Sequence, residues 1–386
     1  MYKTKIGQYL KKGKNKLIPS RIKKYIISHR LISNVFHTKF TQNALLVYVT
    51  TPFTDGISRS HQNQWSVYKL AQILHEMGYN VDAVDFKTVR TKYKKIYDLV
   101  IDISPSPKPL YQEALGKDCI RIAYLTGSNP SWANIRENER IKAVNESRQS
   151  GIVPRRQADL IDNEIQNYSA VLFIGNTYNL KTYSEFDLPP VYLVNNYGLE
   201  FKIDRKKFNP KSYCYIASTG QVHKGLHLLL EIFSTTCTDC ELFIFSDLKK
   251  ERDFCETYRY ELTECENIHV VGFLDVTSDK FLSLIRHCTF MILPSCSEGQ
   301  SGSVCTAMGV GLIPIVSREC GFEDNEVEIL ADCTLRTITN AVIHYSQKKQ
   351  QWLTERSERS YYLIQTKYNQ EIQTKQTRNA IKKIIG

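Results

Sequence analysis

No aspartate or glutamate occurs in the first 54 residues of this chain, which carry eleven lysines and arginines; the first acid is Asp55. Beyond that point forty basic residues face forty acidic ones, so the whole net charge of +11 sits in the opening segment. A one-signed arm of this kind is drawn to anionic surfaces. Ile22, Tyr25, Ile26, His29 and Ile32 fall on one helical face after a cap-type residue, Ser20, which points to a membrane surface. No recognition motif for nucleic acid accompanies the charge, and a solvated arm with no partner is the remaining reading. Long apolar runs are missing too: no stretch reaches the roughly 20 apolar residues of a membrane span, and the early basic residues lack the apolar core of a signal peptide. The eleven cysteines have no framework spacing. The one Cys-x-x-Cys, Cys237 to Cys240, has no second pair and no histidine beside it. This argues against a disulfide-stapled secreted fold and for reduced thiols in a cytoplasm. No Asp-x-Asp of metal-binding type stands at a strand end, so neither a metal nor a cofactor is expected. A nucleophile elbow and a hydrolase-like pair of acids are also absent.

What is present is a regular alternation. With 42% hydrophobic and 24% charged residues over 386 positions, the chain has the length and composition of a globular α/β protein of two domains. Apolar runs at 44–49, 81–86, 99–103, 120–125, 170–174 and 191–194 read as strands. A helix carries Val67, Leu70, Ala71, Leu74 and Met77 on one face and stops at Gly78. After a polar and basic stretch the pattern resumes with strands at 213–217, 241–245, 268–271, 290–293 and 312–316. Helices are expected through 228–233, 279–287 and 335–345, and as one polar helical stretch from about 351 to the end. Strands alternating with helices at this spacing predict doubly wound parallel sheets, whose ligands lie off the carboxyl ends of the strands. The expected division is a basic arm over 1–40, a Rossmann-like domain over 41–205 and a second over 206–386.

Two strand ends carry the chemistry. The first is Ser218-Thr219-Gly220-Gln221-Val222-His223-Lys224-Gly225, a glycine-rich turn between a strand and a helix. Backbone N–H groups there suit a phosphate, and Lys224 adds a point charge; a solvated loop lysine is the alternative. The second is the stretch from Phe290 to Glu323, in which strand, Pro294-Ser295, Glu298-Gly299, a serine-glycine loop, a short helix through Val304–Met308 and a further strand follow one another. A helix starting in such a loop offers unpaired N–H groups and a positive dipole end. Glu298 before it can accept hydroxyl hydrogens from a polyhydroxylated group attached to the phosphate, or simply cap the helix.

This second stretch resembles the donor-binding signature of family 4 glycosyltransferases, retaining enzymes of the GT-B fold: two Rossmann-like doubly wound parallel-sheet domains facing a cleft. Glu298 matches the first acid of the pattern, and Thr306 stands where the second acid is expected. The resemblance implies that Glu298 orients the donor sugar and that the Thr306 position meets the nucleotide ribose. Lys224, with the start of the short helix, would stabilise the departing diphosphate without a metal. Gly220, Gln221 and Gly225 correspond to the phosphate loop, with Gln221 near the place of an arginine the family normally has there. Gln300, Ser301 and Gly302 would offer N–H groups to sugar hydroxyls, with Gly299 beside them on the donor side; Ser303 meets phosphate or serves as an N-cap, and Gly272 with Phe273 lies by the nucleobase or packs. In the first domain Gly56 and His61 stand on the acceptor side, His61 being equally readable as a surface histidine. Asn129 takes the place of a histidine the family often has. Asn134, Glu137 and Arg140 are a polar cluster that reads an acceptor or is a solvated helix face. The last helix of the family crosses back to the first domain. The function implied is transfer of a sugar from a nucleotide-sugar donor to a glycan or lipid-linked glycan acceptor, with retention, in surface polysaccharide synthesis at the cytoplasmic face of a membrane. A GT-B sugar-nucleotide epimerase and a catalytically silent GT-B partner subunit remain as alternatives.

Overall fold

The computed structural model describes residues 25, 27, 29–58, 62–105, 109–161, 163–201 and 207–386. His61, the arm up to residue 24 and residues 26 and 28 lie outside them, and with them Ile22 and Ile26 of the expected amphipathic face. The chain divides into two compact units: Met1–Tyr124 with Asn167–Ala170, and Leu125–Gln166 with Val171–Gly386.

In the first unit the strands are β1 (Leu31–Ile32), β2 (Gln42–Tyr48), β3 (Tyr79–Asp85), β4 (Tyr97–Asp102) and β5 (Leu115–Leu125), and helix α1 is Gln62–Glu76. They lie in the order β1-β3-β2-β4-β5. All pairings are parallel except β1 with β3. Ala44, Leu45, Leu46, Val81, Val84, Leu99 and Val100 are fully buried, as expected of parallel strands covered on both faces. α1 buries Val67, Leu70, Ala71 and Leu74, and Gly78 takes the left-handed conformation (φ +92°) that ends it. Ile32, expected on a helical face, instead pairs with Ala83 in the edge strand; the exposed edge of β3 gives its backbone partners that no lone amphipathic turn offers. The order reverses at β2, and beside it β4 ends in the buried Asp102. Tyr111 Oη donates to Asp102 Oδ2 at 2.5 Å and the Ser104 N–H to Oδ1 at 2.8 Å. Tyr168 lies under the Arg121 guanidinium at 4.1 Å.

The second unit begins with α2 (Pro130–Arg148), followed by β6 (Ala170–Ile174), α3 (Thr177–Lys181) and β7 (Val191–Val194). Next come β8 (Ser212–Ile216), α4 (Leu226–Thr235), β9 (Glu241–Phe245), α5 (Arg252–Thr257), α6 (Arg259–Thr263) and β10 (Ile268–Val270). The chain continues through α7 (Asp279–Ile285), β11 (Phe290–Leu293), α8 (Gly302–Gly309), β12 (Ile313–Ser317), β13 (Glu328–Leu330), α9 (Leu335–Ser346), α10 (Gln350–Thr366) and α11 (Gln370–Ile385). Six strands form one parallel sheet in the order β10-β9-β8-β11-β12-β13. β6 and β7 pair in parallel. The polar stretch expected as one terminal helix is two. Tyr368 turns into the core and donates to Glu326 Oε2 at 2.5 Å, and Asn369 caps α11 by accepting from the Ile372 N–H at 2.9 Å. α11 packs on β7, with the Asn195 N–H donating to Gln376 Oε1 at 2.9 Å. Every cysteine is a free thiol, Cys237 and Cys240 among the buried ones. Among the described residues no helix is long and apolar enough to cross a membrane, and no three or more His, Cys, Asp or Glu are grouped to hold a metal.

Candidate active site

The sheet of the second unit reverses direction between β8 and β11. From β8 the chain winds one way through β9 and β10, and from β11 the other way through β12 and β13. The loops leaving the two central strands therefore diverge around a crevice, the place where doubly wound sheets bind ligands. Those two loops hold Lys224 and Glu298. The side chains meet in an ion pair from Lys224 Nζ to Glu298 Oε1, and they are only 8% and 10% exposed. Ser295 Oγ also donates to Glu298 Oε1, at 3.0 Å, while Oε2 has no hydrogen-bond partner among the described residues. Burial alone would push the Glu298 carboxyl up. The charges of Lys224, then Arg156, outweigh it and hold the group below the usual carboxylate range.

Backbone contact locks the two loops together. Gly225 sits at φ +83°, and a Cβ there would stand 2.4 Å from the Pro294 carbonyl oxygen; only glycine allows the approach. Gly299 is wedged likewise, with a Cβ destined for 2.7 Å from the Thr126 carbonyl oxygen and 2.8 Å from that of Ile174. The Glu298 carbonyl accepts from the Ser128 N–H at 2.9 Å, Ser128 Oγ at 2.6 Å and Asn179 Nδ2 at 3.3 Å. His223 Nε2 donates to the Ser297 carbonyl at 2.7 Å, leaving Nδ1 buried with no partner among the described residues. Burial pushes this imidazole down to about 4, helped by the charges of Lys224 and Arg156, so it is neutral at pH 7.

Residues 210–347, which carry both loops, match the family model described as glycosyl transferases group 1. This segment is a group 1 glycosyltransferase domain. No curated protein sequence matches the chain. Among solved structures it is similar to sucrose-phosphate synthase from Thermosynechococcus elongatus, with a TM-score of 0.62 at 12% identity over 89% of this chain and 99% of that one. It is similar also to HepE of Anabaena in complex with UDP-glucose, with a TM-score of 0.57 at 11% identity over 89% and 99% of the two chains. TarM, solved from S. aureus, gives a TM-score of 0.54 at 11% identity over 75% of this chain, which spans about half (54%) of TarM's length. These likenesses show a GT-B fold, as the sequence led one to expect.

Not every expected donor contact of the glycosyltransferase domain is free to act. The Gly220 and Gln221 N–H groups are taken by the buried Glu251 carboxylate, at 2.6 and 3.1 Å. The Gln221 side chain is a core strut: Tyr215 Oη donates to its Oε1 at 3.0 Å, and its Nε2 donates to the Ser218 carbonyl at 2.8 Å and Ser246 Oγ at 3.0 Å. The Ser301 N–H donates to the Cys320 carbonyl at 3.0 Å. Gln300 accepts from the Asn196 N–H at 2.6 Å and donates to the Gly321 carbonyl at 3.2 Å. Thr306 Oγ1 turns back on its own helix and donates to the Gly302 carbonyl at 3.0 Å. Ser303, half-buried in the first turn of α8, shares a hydrogen with Ser301 Oγ at 3.1 Å. Gly272 is in the left-handed region (φ +85°) with open space around it. Phe273 next to it is 53% exposed, which excludes the packing alternative.

Asn129 is no acceptor reader: it is buried, caps α2 by accepting from the Ser131 N–H at 2.8 Å, and donates to Glu185 Oε1 at 2.8 Å. The polar cluster on α2 is bound to backbone rather than left as a solvated helix face. Asn134 exchanges hydrogen bonds with the Ala158 backbone at 2.9 Å. Arg140 Nη1 donates to the carbonyls of Pro294 at 2.7 Å and His223 at 3.1 Å, tying both active-site loops. Glu137 holds the turn at 155–157. Gly56 belongs to the other unit, in a left-handed turn with open space around it. Sequence reasoning missed Glu251 and Arg156, and it named Arg140 without the role of tying the two loops; each reaches the site from a distant segment, and a charged residue on a polar stretch gives no sign of such a role.

Proposed function

We propose that this chain moves a glycosyl group from a nucleotide-sugar donor to a glycan or lipid-linked glycan acceptor, retaining the anomeric configuration and using no metal. The observation that carries the reading is the meeting of Lys224 and Glu298 at the switch point of the group 1 glycosyltransferase domain. An ammonium has three N–H donors, and Lys224 uses one on Glu298. The others are available to the diphosphate oxygens on which charge grows as the glycosidic bond breaks. Glu298 is ionised and keeps Oε2 free of protein donors, which suits sugar hydroxyls. Its bond to Lys224 makes it a poor proton acceptor, so it orients the sugar and the leaving phosphate takes the acceptor's proton. Phe273, exposed beyond β10, offers a face on which a base can stack. HepE is described with UDP-glucose, and TarM with UDP and a GlcNAc-glycerol; both support a nucleotide-sugar donor here. The acid-free arm fits an acceptor held at an anionic, cytoplasmic membrane face, as in surface polysaccharide synthesis.

The test is to incubate the full chain with UDP-, GDP-, ADP- and dTDP-sugars in EDTA and follow nucleotide release with and without glycan or lipid-linked acceptors. Acceptor-dependent release with a retained anomer is the expected result. An isomerised donor without acceptor would make the chain an epimerase, and no binding or turnover would make it a silent subunit. For the arm, flotation on anionic liposomes should fall when residues 1–40 are deleted; unchanged flotation removes the membrane reading.

A further inference from the structure

We propose that Arg156, on the turn after α2, is the second cation for the donor's diphosphate, placed over the glycine loop from a distant part of the chain. The inference rests on the donor reading above and adds a residue to it. Lys224 and Glu298 cancel each other in charge, and His223 beside them is neutral. Glu251 removes the Gly220 and Gln221 N–H groups from the reach of a ligand. Arg140 has its Nη1 shared among backbone carbonyls. The ion pair carries no net charge of its own, so a further positive group beside Lys224 with free donors strengthens the hold on a diphosphate.

Arg156 meets that need in position and in freedom. Gly220 sits at φ +88°, and a Cβ built on it would stand 2.5 Å from Arg156 Cγ and 3.0 Å from Cδ. The missing side chain is thus the bed on which the arginine stem lies. The guanidinium charge reaches Glu298, His223 and Tyr215, lowering the proton affinity of all three. Arg156 itself is exposed, and its guanidinium has no hydrogen bond or ion pair among the described residues.

The backbone beneath it is fixed. Glu137, only 1% exposed, accepts from the N–H groups of Arg155 at 3.0 Å and Arg156 at 2.9 Å, and from Gln157 Nε2 at 2.7 Å. The neighbouring Arg155 is fully used, donating to both oxygens of Asp253 at 2.6 and 2.7 Å. Of two adjacent arginines, one anchors the turn to α5 and the other is left over the site. A planar fork of donors suits phosphate oxygens better than a lysine would.

The test is calorimetric binding of UDP, GDP, ADP and dTDP, and of the matching nucleosides, to the full chain and to Arg156→Gln and Arg156→Lys. For the diphosphate that binds, Arg156→Gln should weaken affinity by about 10- to 100-fold, the usual range for one charged hydrogen-bonding group. Arg156→Lys should recover part of the loss, and nucleoside binding and melting temperature should be unchanged. Wild-type diphosphate affinity in Arg156→Gln overturns the inference and leaves the donor reading intact. An equal loss for the nucleoside also overturns it, because the residue would then act through the fold. If the native chain binds none of the four diphosphates, both proposals fall.

Discussion

Each unit buries a carboxylate beside the strand at which its sheet reverses, Asp102 at the end of β4 and Glu298 just after β11, and the two are satisfied in opposite ways. Asp102 is held by neutral donors, the Tyr111 hydroxyl and the Ser104 N–H. Burial raises it to about 6, although those hydrogen bonds and the more distant Arg121 charge pull it down. Glu298 is nearly as enclosed, its side chain 10% exposed, yet Lys224 in contact and Arg156 nearby hold it below its ordinary range. A carboxylate closed in by neutral donors is a packing device. One kept charged against burial by cations that have donors to spare is arranged to meet a ligand. The same position in two related sheets thus serves structure in one unit and chemistry in the other.

The strongest test of this contrast removes the cation. Lys224→Met should cut nucleotide-sugar turnover by about 10²- to 10³-fold, the usual cost of one transition-state donor. It should also destabilise the fold by about 3–5 kcal/mol, because Glu298 is left buried and unpaired. Adding Glu298→Gln should recover most of the stability and none of the turnover, as chemical denaturation and initial rates would report. If Lys224→Met keeps native turnover, Glu298 and Lys224 are a structural pair and the contrast between the units disappears.

A smaller effect comes from pH, and the two units should slope in opposite directions. Asp102 has a raised folded pKa, so its contribution is full below about 4, the unfolded value, and is lost as pH rises through about 6. His223 has a lowered folded pKa. Between about 6.5 and 4 only the unfolded chain takes up its proton, so its contribution is full above about 6.5 and falls as the solution is acidified. Each shift corresponds to about 3 kcal/mol at most. Hydrogen exchange read separately in the two units from pH 4 to 7 should show Asp102→Asn flattening the loss with rising pH in the first. His223→Gln should flatten the loss with falling pH in the second. Slopes of the same sign would mean that the two clusters are not distinct in kind.

The strands were legible in the sequence because buried parallel strands are written as plain apolar runs, Phe290 to Leu293 being the clearest, whereas the sheet order that makes a switch point between β8 and β11 was not. Lys224 and Glu298 were legible because both stand in glycine-punctuated loops directly after such runs. Gln221 and Gly220 were misread as phosphate contacts, since nothing local reveals that Glu251, from the loop after β9, claims their N–H groups. Asn129 shows the same limit: an Asn-Pro pair signals a helix start, and the cap used up the side chain that had been assigned to a ligand. Ile32 obeyed a helical spacing and still became a strand, because a two-residue edge pairing is decided by the neighbouring strand and not by its own pattern. What stayed hidden was every role fixed by tertiary placement. Arg140, Glu137 and Arg156 come from one polar stretch whose composition resembles any solvated helix and turn.

The smallest expected effects isolate the hydroxyls around the two carboxylates. Tyr111→Phe removes the 2.5 Å bond to Asp102 and leaves a buried carboxylate with one donor fewer, which should cost about 1–3 kcal/mol at pH 7. The loss should shrink toward pH 5, because the substitution raises the Asp102 pKa further and a protonated carboxyl is cheaper to bury. Ser295→Ala removes a 3.0 Å bond to Glu298, but Lys224 stays on the same oxygen, so the cost should be only about 0.5–1.5 kcal/mol. The two should separate on activity. Tyr111→Phe should leave kcat for nucleotide-sugar cleavage unchanged, whereas Ser295→Ala should lower it severalfold by loosening the carboxylate that orients the sugar. Equal effects of both on kcat would show that the first unit's carboxylate is part of the chemistry after all.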